Sequence, residues 1–333
     1  MTRGSASGSA IGARWVAVRK TAGYGAALTM SFYLVVKLIW IAALLRGGGQ
    51  AGMVVLNAVT VGMSATGVTL GLALARPWGR RLPAPPVILI AWVAAGFLVP
   101  MLPYMLIGAG MQTAGAGAEE ASAAAPDWDM ILITVGFIGM GVGLAVALPI
   151  YMRERWPHAF LGRVGDVLSR SQDAPRSPVR TGESRRRPPR FAAPATAAAV
   201  VLGLLWLYWA AGGTLGLDPA HRDHWDLNGR LLNASAGIWA LISAWSLRTL
   251  TRHRPARLPL WLPTTLAFAG SGSLFAWSCW KLPMAILRPT GYAMAEYLPV
   301  AVLQHLTGIA TGAAALATVL RLTRPGKGDV AGM

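Results

Sequence analysis

The stretch MILITVGFIGMGVGLAVALPIYM, residues 130–152, decides the fold class. It carries no charged side chain and is bounded by Asp129 on one side and Arg153 on the other. A helix rises about 1.5 Å per residue, so about 20 apolar residues cross the hydrocarbon core of a bilayer. A helix apolar on every side has no solvent face, and lipid is the medium that suits it. Gly139, Gly141 and Gly143 within it suit close contact between helices and not a phosphate cradle, because no Lys-Ser/Thr pair follows them.

Seven further runs of this kind lie outward from it, at residues 22–45, 52–75, 86–108, 194–213, 229–248, 260–280 and 298–320. The whole chain of 333 residues is 54% hydrophobic and 13% charged. Soluble domains carry roughly 25% charged residues. The expectation is an all-α polytopic transmembrane helical bundle of about eight spans. The first run is long enough to span and no small-residue cleavage site follows it, so it reads as a retained helix and not as a removed signal. The single cysteine, Cys279, sits inside an apolar run and reads as a buried, inert thiol.

A net charge of +17 would suggest nucleic acid in a soluble protein, but its placement says otherwise. With the N-terminus cytoplasmic, 24 of the 30 Lys and Arg residues fall on one side. They cluster before the first run, between the second and third, between the sixth and seventh and in the tail, and ten arginines lie between Arg153 and Arg190. Such asymmetry is the positive-inside signal, so both termini are expected in the cytoplasm of a multi-pass protein of the cell membrane and nucleic acid is not expected as a partner. The expected organisation is a cytoplasmic N-terminal segment (1–21), a first four-helix membrane unit (22–152), a basic cytoplasmic linker (153–193), a second four-helix unit (194–320) and a cytoplasmic tail (321–333). The linker is rich in Arg, Pro and Ser and suits the anionic inner leaflet, where each basic residue contributes about 1 kcal/mol. The Ala- and Gly-rich segment 109–126 reads as an outer loop.

The halves echo each other. Leu56-Asn57-Ala58 recurs as Leu232-Asn233-Ala234, and Arg81-Leu82-Pro83 as Arg257-Leu258-Pro259, both at an offset of 176. The even-numbered spans leave through Arg76-Pro77, Arg155-Trp156-Pro157, Arg254-Pro255 and Arg324-Pro325. Four spans per half give both halves the same direction, hence two parallel repeats and not an inverted pair. The odd-numbered spans pair large side chains three residues apart, on one helix face: Lys37 with Trp40, Met101 with Tyr104, Trp206 with Trp209, and Trp277 with Trp280. Interfacial anchoring accounts for such aromatic residues; lining a shared cavity is the functional alternative.

The run Leu207-Tyr208-Trp209-Ala210-Ala211-Gly212-Gly213 followed by Gly216-Leu217 resembles a motif of uncharacterised small four-helix bacterial integral membrane proteins. In that family a first helix ends in Tyr-Trp-Ala-x-Gly-Gly. The resemblance covers the start of the second half; the first half keeps Trp40 but lacks the Gly-Gly pair. Family members often carry a histidine just before the Tyr-Trp, where this chain has Trp206. The resemblance implies a duplicated four-helix unit in a bacterial cell membrane and implies no activity.

Candidate ligand-binding residues are Lys37, Trp40, Trp206, Trp209, Trp277, Trp280 and His305. Lys37 lies about 13 Å inside the first span. It either snorkels to the headgroups or faces the bundle and meets an anionic or carbonyl group. His305, beside Gln304, is a hydrogen-bonded packing residue or a ligand-facing one. Asn57 and Asn233 suit interhelical hydrogen bonding. His221, His224 and Asp226 are metal-capable, but their spacing matches no established zinc pattern, so no metal is expected. No Walker loop, H-E-x-x-H or G-x-S-x-G is present, and nothing calls for a cofactor or for catalytic residues. The leading expectation is a membrane protein that binds a lipid or small amphiphile between its repeats or scaffolds partners. A small-solute transporter and an intramembrane enzyme on an apolar, isoprenoid-like substrate are the alternatives. The enzyme would draw its acid from Asp218 or Glu296.

Overall fold

A computed structural model describes residues 12–48, 51–115, 128–166, 189–220, 227–288 and 295–323. They form α1 (Ala13–Arg46), α2 (Ala51–Ala75), a 3-10 turn (Pro77–Arg81), α3 (Ala84–Leu98), α4 (Leu102–Gly115), α5 (Trp128–Arg155) and the short α6 (Pro157–Phe160). Then follow α7 (Ala192–Ala210), α8 (Leu227–Arg252), α9 (Trp261–Leu287) and α10 (Leu298–Leu322). The described residues contain no strand, only isolated bridges between Arg163 and Pro259 and between Leu217 and Glu296. The chain is an all-α, polytopic helical bundle.

The span count is lower than expected. Among the described residues six stretches, not eight, are long and apolar enough to cross a membrane: Ala13–Arg46, Gly52–Ala75, Ala84–Ile107, Ile131–Arg155, Ala192–Ala210 and Leu298–Leu322. The two expected runs that fall short are helical over 26 and 27 residues, as α8 and α9. Their buried faces carry Asn233, Ser243, Ser246, Ser271, Ser273 and Ser278. A face covered by neighbouring helices does not need the hydropathy that a lipid-facing one does.

The chain divides into two compact units, Met1–Ala91 with Ser122–Pro157, and Trp92–Ala121 with His158–Met333. In the first, α1 packs on α2 and α5. The α5 glycines explain the closeness: a Cβ on Gly139 would stand 2.4 Å from Thr29 Oγ1, and one on Gly143 2.5 Å from the Ala26 Cβ. Positions four apart share a face, so this small-residue stripe admits α1. At one end of this unit, Arg19 donates from Nε to Glu154 at 3.0 Å and also reaches the Leu74 carbonyl, with Arg80 3.9 Å from the same carboxylate. Arg155 donates to the Gly79 carbonyl at 3.1 Å and to the Leu82 carbonyl, which ties the 3-10 turn to α5.

In the second unit α7 packs on α8, and α9 on α8 and α10. The Tyr-Trp-Ala-Ala-Gly-Gly run is a built turn. The Tyr208 hydroxyl accepts the N–H groups of Thr214 and Leu215, both at 3.2 Å, while the Trp209 indole donates to the Leu215 carbonyl at 2.8 Å. A Cβ on Gly213 would lie 2.2 Å from the Tyr208 ring, so the tyrosine covers a position that only glycine leaves open. Gly212 and Gly216 take φ of 99° and 83°, values that glycine adopts without strain. The turn then pairs with the entry to α10, Asp218 N–H to Ala295 and Tyr297 N–H to Gly216. Cys279 is exposed on α9, against the expected burial. The neighbouring residue Ser278 is the one that turns inward.

Candidate functional site

The site is in the second unit and begins with a broken helix. Pro100 has no N–H to continue α3, and the chain turns over residues 99–101 before α4 starts. The break frees backbone carbonyls. Met101 N–H bonds to Leu98, three residues back, so the Phe97 carbonyl loses its helical partner and accepts the Trp277 indole N–H at 3.2 Å. The Pro100 carbonyl accepts the Ser235 hydroxyl. Irregular backbone at membrane depth persists where protein groups satisfy it in this way. The approach of α3 to α9 is closer than any side chain permits: a Cβ on Gly96 would stand 2.0 Å from the Gly272 carbonyl carbon. Trp92 reaches the Ser271 hydroxyl at 2.9 Å across the same contact.

Beside the break is a cavity of about 30 Å³. That is about the share of one molecule in liquid water. Its walls include Pro100 and Met101 at the break, Trp206 on α7, Asn233 on α8, Trp277, Ser278 and Lys281 on α9, and His305 on α10. His305 is 2% exposed, and neither of its ring nitrogens has a hydrogen-bond partner among the described residues. The Ser278 hydroxyl is in the same condition. A buried polar group without a partner costs about 1–3 kcal/mol, and three such atoms gathered at one cavity need a polar occupant. Lys281 brings a cation and has no ion pair among the described residues. The other polar walls are engaged elsewhere: Asn233 donates to the Gly229 carbonyl at 2.8 Å, and the Trp206 indole to Gln304 Oε1 at 2.7 Å.

Gln304 continues that link. Its Nε2 donates to Glu296 Oε1 at 3.1 Å, and Glu296 is 5% exposed. Glu296, one of the two acids on which the enzyme alternative would draw, is thus a buried residue that fixes the Gln304 amide and, through it, the Trp206 ring.

Comparison with protein-family models, curated proteins and solved structures finds no match. The site therefore rests on its own geometry.

Of the residues expected from the sequence, Trp206, Trp277 and His305 meet at this cavity. Trp209 does not line it: it is wholly buried in the core with Leu217, Ala240 and Leu274. Trp280 packs edge-on against Phe97 at 6.3 Å. Lys37 and Trp40 belong to the first unit. There the Lys37 ammonium lies 3.8 Å from the Trp40 ring centroid and 5.5 Å from that of Tyr33, and the Trp40 indole donates to Asp129 Oδ2 at 3.1 Å. Lys281 and Ser278 were not among the expected site residues. Their signal was present, since Lys281 stands four residues after Trp277 as an unpaired charge ending an apolar run. Asn57 and Asn233 both bond within their own helices, to Met53 and Gly229, where bonds between helices were expected. Among the described residues no group of three His, Cys, Asp or Glu could hold a metal ion. The His221, His224 and Asp226 cluster lies outside the described residues, as do most of the basic linker and outer loop and the end of the tail.

Proposed function

We propose that this membrane protein binds the polar, anionic end of a small amphiphile at the Lys281–His305 cavity. The observation that carries the reading is His305, deeply buried with both ring nitrogens unpartnered among the described residues, at a cavity that also holds Ser278 and a Lys281 with no ion pair among those residues. The cation sets the sign of the ligand, and the hydroxyl and imidazole supply hydrogen bonds to it. A cavity of about 30 Å³ admits one water-sized polar group, so the apolar remainder of the ligand lies outside it, along Met101 and Trp277. Pro100 and Met101 come from the first sequence half and the other walls from the second, which suits the expected placement between repeats.

Decanoate and decanol, which differ in the charge of one end, test this. Decanoate is expected to raise the melting temperature of the detergent-solubilised protein more than decanol does, and the difference is expected to vanish in Lys281→Met. Equal shifts from both compounds in the wild type would sink the reading.

A small-solute transporter is the second reading, and the broken α3–α4 helix beside the cavity supports it. Transporters commonly place binding sites at discontinuous helices. Uptake of radiolabelled decanoate into proteoliposomes above that of protein-free vesicles favours transport; binding without uptake favours the first reading.

The duplication, the bacterial cell membrane and the cytoplasmic termini belong to the same reading. The 176-residue offset supports the duplication, as do Asn57 and Asn233, which make the same bond four residues back in their helices. The Tyr-Trp-Ala-x-Gly-Gly resemblance and the one-sided arginines support the rest. A cysteine at position 119 that reacts with an impermeant maleimide only from the cytoplasm would reverse the orientation.

A further inference from the structure

We propose that the first unit holds an anionic phospholipid of the inner leaflet, with its acyl chain in the α1–α2 groove and its phosphate at Arg76. The proposal is independent of the cavity in the second unit.

The groove is wide and open, about 670 Å³, and is lined by Thr21, Tyr24, Gly25, Leu28 and Ser31 of α1 with Val68 and Leu72 of α2. Its volume is that of a small-molecule site, which runs from roughly 300 to 1,000 Å³. From Thr21 to Ser31 the helix rises about 15 Å, half of a hydrocarbon core about 30 Å thick. The groove therefore matches the depth of one leaflet. The Ser31 hydroxyl of its wall bonds inward, to the Ala27 carbonyl at 2.7 Å, and the α2 wall is apolar.

One end of the groove is marked by charge. The Arg76 guanidinium lies 5.9 Å from the centroid of the Tyr24 ring, itself a groove wall. Arg76 makes no ion pair among the described residues, in contrast to Arg19 and Arg80, which share Glu154. Lys20, exposed and next to Thr21, adds a second cation at the same end. These residues belong to the clusters that the charge distribution places on the cytoplasmic side, where the leaflet is anionic. An apolar trough of one-leaflet depth, with cations at its cytoplasmic end that make no ion pair among the described residues, fits an anionic diacyl lipid. A fully buried ligand or a soluble anion would not need the trough.

Gly25 makes the test clean. It lines the groove, and a Cβ added there meets nothing within 4 Å, so Gly25→Leu starts a bulky side chain from an open position on the groove wall. The wild-type protein, delipidated in detergent, is titrated by native mass spectrometry with phosphatidylglycerol and with phosphatidylcholine of identical chains. Binding of phosphatidylglycerol at least fivefold tighter is expected. Arg76→Gln is expected to remove the preference while leaving residual binding of both lipids, and Gly25→Leu to weaken both severalfold with the fold retained by circular dichroism. Equal affinity for the two lipids in the wild type overturns the headgroup assignment. Unaltered binding in a folded Gly25→Leu protein overturns the groove. Inorganic phosphate competing as well as the lipid would show an anion site without a chain, which also counts against the proposal.

Discussion

Trp277 holds Phe97 twice, donating its indole N–H to the Phe97 carbonyl at 3.2 Å while its ring stacks on the Phe97 ring at 4.2 Å and 7°. The carbonyl is available because Pro100 interrupts the helix, and the ring is in place because Gly96 and Gly272 let the two backbones meet. One tryptophan thus closes the break and forms a wall of the cavity.

Trp277→Phe keeps a ring for stacking and removes the donor. The Phe97 carbonyl is left without its partner, a loss of about 1–3 kcal/mol. Trp280, which meets the same Phe97 edge-on, serves as the control, and Trp280→Phe is expected to cost less. Thermal unfolding in a fixed detergent compares them; equal losses would mean that the bond to the broken helix contributes nothing.

Gly96→Ala is expected to destabilise by about 1–3 kcal/mol, the usual range for overpacking, because its methyl would overlap the Gly272 backbone and a flexible side-chain tip is not there to yield. The same variant should weaken decanoate binding, since separation of α3 from α9 moves Pro100 and Met101 away from Lys281. A stable variant with intact binding contradicts the close contact.

Gly213→Ala and Tyr208→Phe probe the turn after α7. Tyr208→Phe removes an acceptor shared by two backbone N–H groups on an exposed turn, and a loss of about 1 kcal/mol is expected. Gly213→Ala drives a methyl into the ring and is expected to cost more. Limited proteolysis at the turn, ordered wild type, Tyr208→Phe, Gly213→Ala by increasing cleavage, is the readout. The reverse order would mean that the ring does not cover the glycine.

Glu154→Gln leaves Arg19 charged at 2% exposure with no carboxylate beside it. Breaking a buried pair from one side costs about 3–5 kcal/mol. The double variant Arg19→Met with Glu154→Leu is expected to recover most of that, since an apolar pair of similar size is often neutral. A double variant as unstable as the single one would show that Arg19 acts mainly through the Leu74 carbonyl.

Charge-free runs such as 130–152 were sufficient for the all-α membrane fold, because burying a backbone in lipid leaves helices as the economical solution and length alone then defines each run. Trp206, Trp277 and His305 stand out in the sequence because large polar-tipped side chains are uncommon at that depth, and the fold brings them to one cavity. Spacing of i, i+3 puts two residues on a shared face, but each face is divided between neighbours, so Trp206 meets the cavity while Trp209 enters the core. The two spans that fell short, α8 and α9, are held by the second unit's own packing, which hydropathy does not read.

What the sequence by itself determined is the class of solvent and the all-α character of the fold, properties that sum over single residues. Only the tertiary structure decided that Glu296 is buried, that Lys281 and Ser278 join His305, and that Pro100 breaks a helix whose carbonyls Trp277 and Ser235 then satisfy. Trp277 with Phe97 and Ser235 with Pro100 are more than a hundred positions apart, and Lys281, Ser278 and His305 come together from different helices. These relations follow from which surfaces pack, and no periodicity along the chain encodes that choice.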